Sequence, residues 1–256
     1  MKNFIIEEKD NVVHLKIARG EKYNALNPEM LEEFTSALED IKKSSAQIVL
    51  LSGQGDGFCA GGDLSMMKEV ADRGKYEAVM ENIEYIVKSF YTMPKIVISA
   101  LHGPVVGLGL SIALSSDYVM AEQGCKLSMN FIGIALAPDG GGHFWLQERL
   151  GTHQAKHFAW KGEEMSAQQA FDNKLIDKVV DDSVHLEAER LAVKWSHSPL
   201  KSMIATKEIY HKYGLEKLET YLAKEREVQW NLRQTADHLE GVQAFFEKRK
   251  PQFQGK

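Results

Sequence analysis

The feature that most constrains this chain is a repeated alternation of short apolar runs with helix-length amphipathic segments. QIVLLSG, from Gln47, is continuously apolar and bounded by polar residues and glycine, the pattern of a strand covered on both faces. KIVISALHG from Lys95 and DYVMAE from Asp117 read as further strands. NVVHLKIARG from Asn11 alternates, with Val13, Leu15 and Ile17 on one side and His14 and Lys16 on the other, as a half-buried strand does. Between these runs, Asn27-Pro28-Glu29 supplies an N-cap, a proline at the first helical position and an acid in the first turn, and Leu31, Phe34, Leu38 and Ile41 follow at helical spacing. A second helix is expected over 75–90 and a short one over 107–114. Strand, helix, strand in succession indicates a parallel sheet, so the expected fold class is layered α/β. Beyond Ser166, an N-cap for SAQQAFDNKLI, only KVV at 178–180 reads as strand. The rest is helical, with Leu186, Leu191, Trp195, Leu218, Leu222, Val242 and Phe245 as core candidates and Trp145 and Trp160 as core or interface. The expected organisation is a core over 1–200 that holds the site and a helical region over 201–256.

A chain of 256 residues, 44% hydrophobic and 26% charged, has the composition of a globular protein and can build one large core. Its 31 basic and 36 acidic residues leave a net charge of −5, so no global positive field recruits nucleic acid. The most apolar stretch, 93–114, is interrupted by Pro94, Lys95, His102 and Pro104 and falls short of the roughly 20 apolar residues that span a bilayer. Cys59 and Cys125 form neither a zinc pattern nor a redox pair, and the three-residue apolar run before Glu7 is too short for an export leader. A cytoplasmic protein with reduced thiols and no membrane partner is expected.

Three glycine-rich turns stand out: GQGDGFCAGGDL from Gly53, HGPVVGLGL from His102 and PDGGG from Pro138. Each joins a predicted strand to a predicted helix, where free N–H groups and the helix dipole favour an anion or a developing oxyanion. Each alone is also what an ordinary turn requires. Neither a GxGxxG fingerprint nor a P-loop is present, which disfavours a nucleotide site.

In order and spacing, GFCAGGDL, HGPVVGLGLSIALSSD, KLSMNFIGIALAPDGGG, MSAQQAFDNKLIDKVV and EGVQAFFEKRKPQFQGK resemble the enoyl-CoA hydratase/isomerase (crotonase) superfamily. The resemblance covers nearly the whole chain and is nearest to the superfamily's epoxyphenylacetyl-CoA and enoyl-CoA isomerases. It implies a spiral of ββα units with C-terminal helices that build homotrimers, often stacked as hexamers. It also implies an acyl-CoA thioester as substrate, with CoA part of that substrate and neither cofactor nor metal. The thioester oxygen would sit in an oxyanion hole made by the backbone N–H groups of Gly62 and Leu108. Lys22, Ala25 and Ala60 would lie near CoA, and Met66, Met67, Met129 and Phe131 would form the acyl pocket, ordinary core packing being the alternative for each of these four. Asp63 reads as structural, capping or pairing behind its loop. Lys248, Arg249 and Lys250 are either a CoA-phosphate patch or a solvated charge run.

Which reaction follows depends on carboxylates. The resemblance assigns the two glutamates of family hydratases to the positions of Ser111 and Phe131, and neither side chain does acid/base work at neutral pH. Asp139, eight residues after Phe131, matches the acidic catalytic residue of superfamily isomerases. One carboxylate suffices to remove a proton α to the thioester and return it at the γ carbon. The competing readings are a hydratase that uses Asp139, an Asp139 nucleophile as in aryl-CoA dehalogenases, and a binding protein for acyl-CoA or RNA that has lost chemistry. Asp139 as a plain N-cap for the helix beginning near Gly140 is the structural alternative.

Overall fold

Every apolar run read above as a strand lies in one six-stranded sheet, whose strands follow the order Phe4–Lys9, Val12–Ile17, Ile48–Gly53, Ile96–Leu101, Tyr118–Glu122, Lys178–Val180. The structure, a computed structural model, describes residues 1–66 and 72–256, the side chain of Met66 excepted. The acyl-pocket expectations for Met66 and Met67 therefore lie outside the described residues. β1 (Phe4–Lys9) and β2 (Val12–Ile17) form an antiparallel hairpin, so the fold opens one strand earlier than the alternation from Asn11 indicates. β1 is an edge strand that buries only Phe4, which leaves it no apolar alternation to detect.

From β2 onward the sheet is parallel, each step crossing through a helix. α1 (Pro28–Lys43) starts where the Asn27 side chain accepts the Met30 N–H at 2.8 Å, and it turns Met30, Leu31, Phe34, Ala37, Leu38 and Ile41 into the core. β3 (Ile48–Gly53) and β4 (Ile96–Leu101) are buried at all six positions each, as their unbroken apolar sequences require. One face of the sheet packs against α1 and α2 (Arg73–Thr92). The other, carrying Val12, Ile48, Leu50, Ile98 and Met120, is covered by α6 (Val184–Ser196) through Val184, Ala188 and Ala192. Because small residues make that contact, Leu186 faces solvent rather than the core its spacing suggested.

A second, three-stranded sheet holds β5 (Pro104–Val106), β7 (Lys126–Ser128) and β8 (Met165–Ser166). The chain therefore repeats one path. β4 enters the large sheet, β5 the small one, and α3 (Leu108–Leu114) follows; β6 (Tyr118–Glu122), β7 and α4 (Gly142–Lys161) do the same. The segment ahead of α2 follows suit, with Cys59 bridged to Val105 beside β5. This is the ββα spiral, and it gathers the segment ends at 59–64, 106–108 and 138–142 on one side of the molecule.

After α5 (Ala167–Asp172), capped by a reciprocal Ser166–Gln169 box, and β9 (Lys178–Val180), the chain is helical. α7 (Leu200–Leu232) lies back across the core, held by polar anchors. The Lys207 ammonium is buried against Asp117 at 2.7 Å and the Phe90 and Lys95 carbonyls, both at 2.9 Å. The Arg226 guanidinium pairs with Glu77 and Glu84 of α2. α8 (Ala236–Phe246) ends the fold, with Phe245 exposed rather than in the core. Trp145 is buried, whereas Trp160 is 61% exposed. Among the described residues no helix is long and apolar enough to cross a membrane.

Candidate active site

The gathered segment ends line a cavity of about 530 Å³. Ala60 to Ser65 and the start of α3 form one wall, and Phe131 to Asp139 another. A stripe of α2 closes the apolar side with Tyr76, Val79, Met80 and Ile83.

Backbone geometry creates two free donors there. Leu26 bridges the AGGD turn, its N–H donating to Gly61 O at 2.7 Å and its carbonyl accepting from Asp63 N at 2.9 Å. Peptide groups alternate along such a ladder, so the N–H of Gly62 faces away from Leu26. Gly61, at φ +88°, allows the close approach of the next turn: a Cβ there would lie 2.7 Å from Val106 O and 3.4 Å from Leu108 N. Gly107 adopts φ 54°, ψ −121° and delivers Leu108 as the first residue of α3, whose N–H has no intrahelical acceptor. Among the described residues neither N–H has a protein acceptor. The Leu108 side chain packs against Gly140, where an added Cβ would meet its Cδ1 at 2.7 Å, so leucine is accommodated beside the two donors.

Asp63 is tied behind the turn. Its Oδ2 accepts from Arg19 at 2.9 Å, and its Oδ1 accepts from the Ser65 N–H at 3.1 Å and hydroxyl at 2.6 Å. Burial pushes its carboxyl up, but these hydrogen bonds and the Arg19 charge outweigh that and hold it below the usual range. This is a structural group. Cys59, beneath the turn, donates to Asn24 O at 3.2 Å, and burial pushes its thiol up to about 12, which makes it inert.

Asp139 lines the cavity and is the carboxylate whose environment is unusual. Its Oδ1 is buried without a partner among the described residues, and its Oδ2 accepts from Gln229 Nε2 at 3.2 Å. Burial, then the neighbouring Glu225 charge, push the carboxyl up to about 8, with Arg233 drawing it partly back. Asp139 does not cap α4. The N-cap is Gly141, and the buried carboxylate of Glu225 accepts from Gly141 N at 2.7 Å and His143 N at 3.0 Å. The N-cap alternative is therefore corrected: α7 reaches over and supplies the anion that this helix start attracts.

The two positions assigned to hydratase glutamates are both filled for packing. Ser111 is fully buried and its hydroxyl donates to the Asp139 main-chain carbonyl at 2.7 Å; Phe131 forms cavity wall. Lys22, Ala25 and Ala60 also line the cavity. Met129 does not: it is fully buried behind the wall, its Sδ 3.9 Å from the Ser111 hydroxyl, so its expected place in the acyl pocket is corrected to core packing. Arg249, proposed for a phosphate patch, is paired with Glu240 at 2.8 Å and with Glu247, which favours the charge-run reading.

Gln229, Arg233, Glu225, Tyr76 and Phe246 were not singled out from sequence. A signal existed: Leu218, Leu222, Glu225, Gln229 and Arg233 fall at helical spacing, so the polar residues continue the stripe on which the two leucines are buried. Among the described residues no cluster of three histidine, cysteine or acidic side chains is placed to hold a metal.

The sequence and the fold that carry these groups are shared with known proteins. Residues 7–256 match the family model described as enoyl-CoA hydratase/isomerase. The chain is 43% identical over 243 residues to a Bacillus subtilis strain 168 protein named enoyl-CoA hydratase/isomerase YhaR, covering 95% of each. It is 33% identical to the 1,2-epoxyphenylacetyl-CoA isomerase of Escherichia coli K12, covering all of both chains. Among solved structures, an enoyl-CoA hydratase from Mycobacterium avium subsp. paratuberculosis K-10 superposes with a TM-score of 0.90 at 25% identity, covering 98% of each chain. On sequence and fold together, the chain belongs to the enoyl-CoA hydratase/isomerase family.

Proposed function

We propose that this protein is an enoyl-CoA isomerase that moves a double bond from the β,γ to the α,β position, with Asp139 as the single proton shuttle. The observation that carries the reading is the isolation of Asp139. Of the two acids that line the cavity among the described residues, Asp63 is tied to Arg19 and Ser65, which leaves Asp139, and the two candidate glutamate positions hold Ser111, spent on a main-chain carbonyl, and Phe131, part of the wall. The thioester oxygen accepts from the N–H groups of Gly62 and Leu108. The Asp139 carboxylate removes an α proton, and the electron pair moves into a dienolate whose oxyanion the two donors stabilise, each worth roughly 3 to 4 kcal/mol in the transition state. Asp139 then returns the proton to the γ carbon, so substrate and product are isomers and the carboxylate is regenerated. A carboxyl held near 8 suits both halves of the task, because it neither binds its proton too weakly to deliver it nor too strongly to take it at neutral pH.

In the same reading Lys22, Ala25 and Ala60 meet the CoA moiety where they line the cavity. Homotrimers or hexamers assemble through apolar side chains that α7 and α8 leave exposed, among them Ile209, Tyr210, Tyr213 and Leu239. The test is to incubate the protein with crotonyl-CoA and, separately, with a 3-enoyl-CoA, and to separate the products. Isomerisation without net hydration is expected. Rapid formation of 3-hydroxyacyl-CoA would instead establish the hydratase alternative.

A further inference from the structure

The two oxygens of Asp139 are not equivalent, and α7 makes them so. Gln229 Nε2 donates to the Ala137 carbonyl at 2.6 Å as well as to Asp139 Oδ2 at 3.2 Å. A main-chain carbonyl only accepts, so Ala137 fixes the orientation of the amide, and the edge facing Asp139 is N–H. That edge keeps Oδ2 an acceptor. It leaves Oδ1, buried and unpartnered among the described residues, as the oxygen on which a proton can come and go. Gln229 is 2% exposed, so the clamp is set in packed surroundings.

One turn earlier on the same face, Glu225 grips the other end of the loop. Beyond the Gly141 and His143 N–H groups it meets His143 Nδ1 at 2.7 Å, and it is 4% exposed. It thus fastens the main chain two residues past Asp139 while keeping a negative charge beside it. The other charged or titratable groups facing Asp139 are Arg233, at the C-terminal cap of α7, and Tyr76 of α2, whose hydroxyl donates to Arg226 O at 2.6 Å.

We propose that Gln229 and Glu225 are the positioning residues of the proton transfer, Gln229 selecting Oδ1 of Asp139 as the oxygen that exchanges the proton with substrate and Glu225 pinning the loop with a second negative charge at its back. The transfer step rests on the isomerase reading; the action of the two residues on Asp139 does not, and it is measurable without turnover. The two act with opposite sign. An N–H donated to a carboxylate favours the ionised form, and a neighbouring anion disfavours it. A merely structural role, in which either change loosens the loop and admits water, moves Asp139 in one direction only.

The experiment uses the full-length protein with carbon-13 carboxyl-labelled aspartate, the Asp139 signal being assigned by its loss in Asp139→Asn. Glu225→Gln should lower the titration midpoint of Asp139 by about one pH unit, and Gln229→Met should raise it. With a 3-enoyl-CoA, Gln229→Met should lower kcat by about tenfold or more with KM within about threefold. In deuterated water its product should carry more solvent deuterium at the γ carbon, because a freed carboxyl turns and exchanges. Midpoints that stay put, or that move together, overturn the proposal; should Gln229→Met fail to fold, Gln229→Leu takes its place, and a midpoint that does not rise overturns the proposal. A wild-type protein that does not isomerise overturns the reaction and leaves the clamp to be judged by the titrations.

Discussion

Replacing Asp139 by asparagine keeps the shape of the side chain and removes its proton, so it separates chemistry from packing. Burial and the Glu225 charge, with Arg233 opposing, raise this carboxyl from 3.8 to about 8. At pH 7 about one Asp139 in ten is then the active carboxylate, so kcat/KM of the wild type should climb close to tenfold per pH unit below 8 and level off above it. The variant should lose at least about 100-fold at the plateau and lose the pH dependence with it. Stability should move the other way. A carboxyl whose folded pKa lies above its unfolded one imposes no penalty below about pH 4, where both states are protonated. Between the two pKa values the unfolded state releases a proton that the native state retains, so native stability falls as pH rises, by about 1.4 kcal/mol per unit. From pH 5 to pH 8 the wild type should therefore lose about 4 kcal/mol relative to Asp139→Asn. Parallel urea melts of the two proteins across that range measure the difference. Melts whose separation is independent of pH, or a variant active within about tenfold of wild type, would refute the buried-base argument.

Gly61→Ala should place a methyl 2.7 Å from Val106 O at a φ of +88°, and displacing one oxyanion donor should cost about 100-fold to 1000-fold in kcat, read by steady-state kinetics on a protein whose circular dichroism is native. Asp63→Asn should weaken the Arg19 and Ser65 ties and destabilise the fold by about 1 to 3 kcal/mol in denaturant melts, while leaving the midpoint of the pH–rate profile in place; a shifted midpoint would make Asp63 part of the proton chemistry. Asp117→Ala should strand the buried Lys207 ammonium and cost about 3 to 5 kcal/mol by urea denaturation, with little change in kcat for whatever fraction remains folded.

Much of the fold was legible because its signals are local. The Asn27 and Ser166 caps work through hydrogen bonds three residues away, and β3 and β4 declare their burial by unbroken apolar sequence. Of the strands that escaped notice, β5, β7 and β8 have two or three residues each, too few for any alternation to register, and β1 buries only Phe4. Leu186 and Phe245 were misjudged because helical spacing identifies a face without saying whether a neighbour covers it. Met129 was misjudged because an apolar residue next to a site and one lining it have the same sequence signature.

The sequence by itself determined the alternation of strand and helix, the glycines that permit close approach of backbone to backbone, and the presence of Asp139 where Ser111 and Phe131 carry no carboxylate. Each is a property of a few consecutive residues or of residue identity. Only the tertiary structure decided that Asp139 does not cap the helix that follows it and is buried at the cavity wall instead. Glu225 takes the cap from 84 residues away, and Gln229 holds one oxygen of Asp139 across 90. The proton affinity of the carboxyl is a property of neither residue's sequence context, since it comes from excluding water and fixing a second charge nearby, and both require α7 to lie across the spiral.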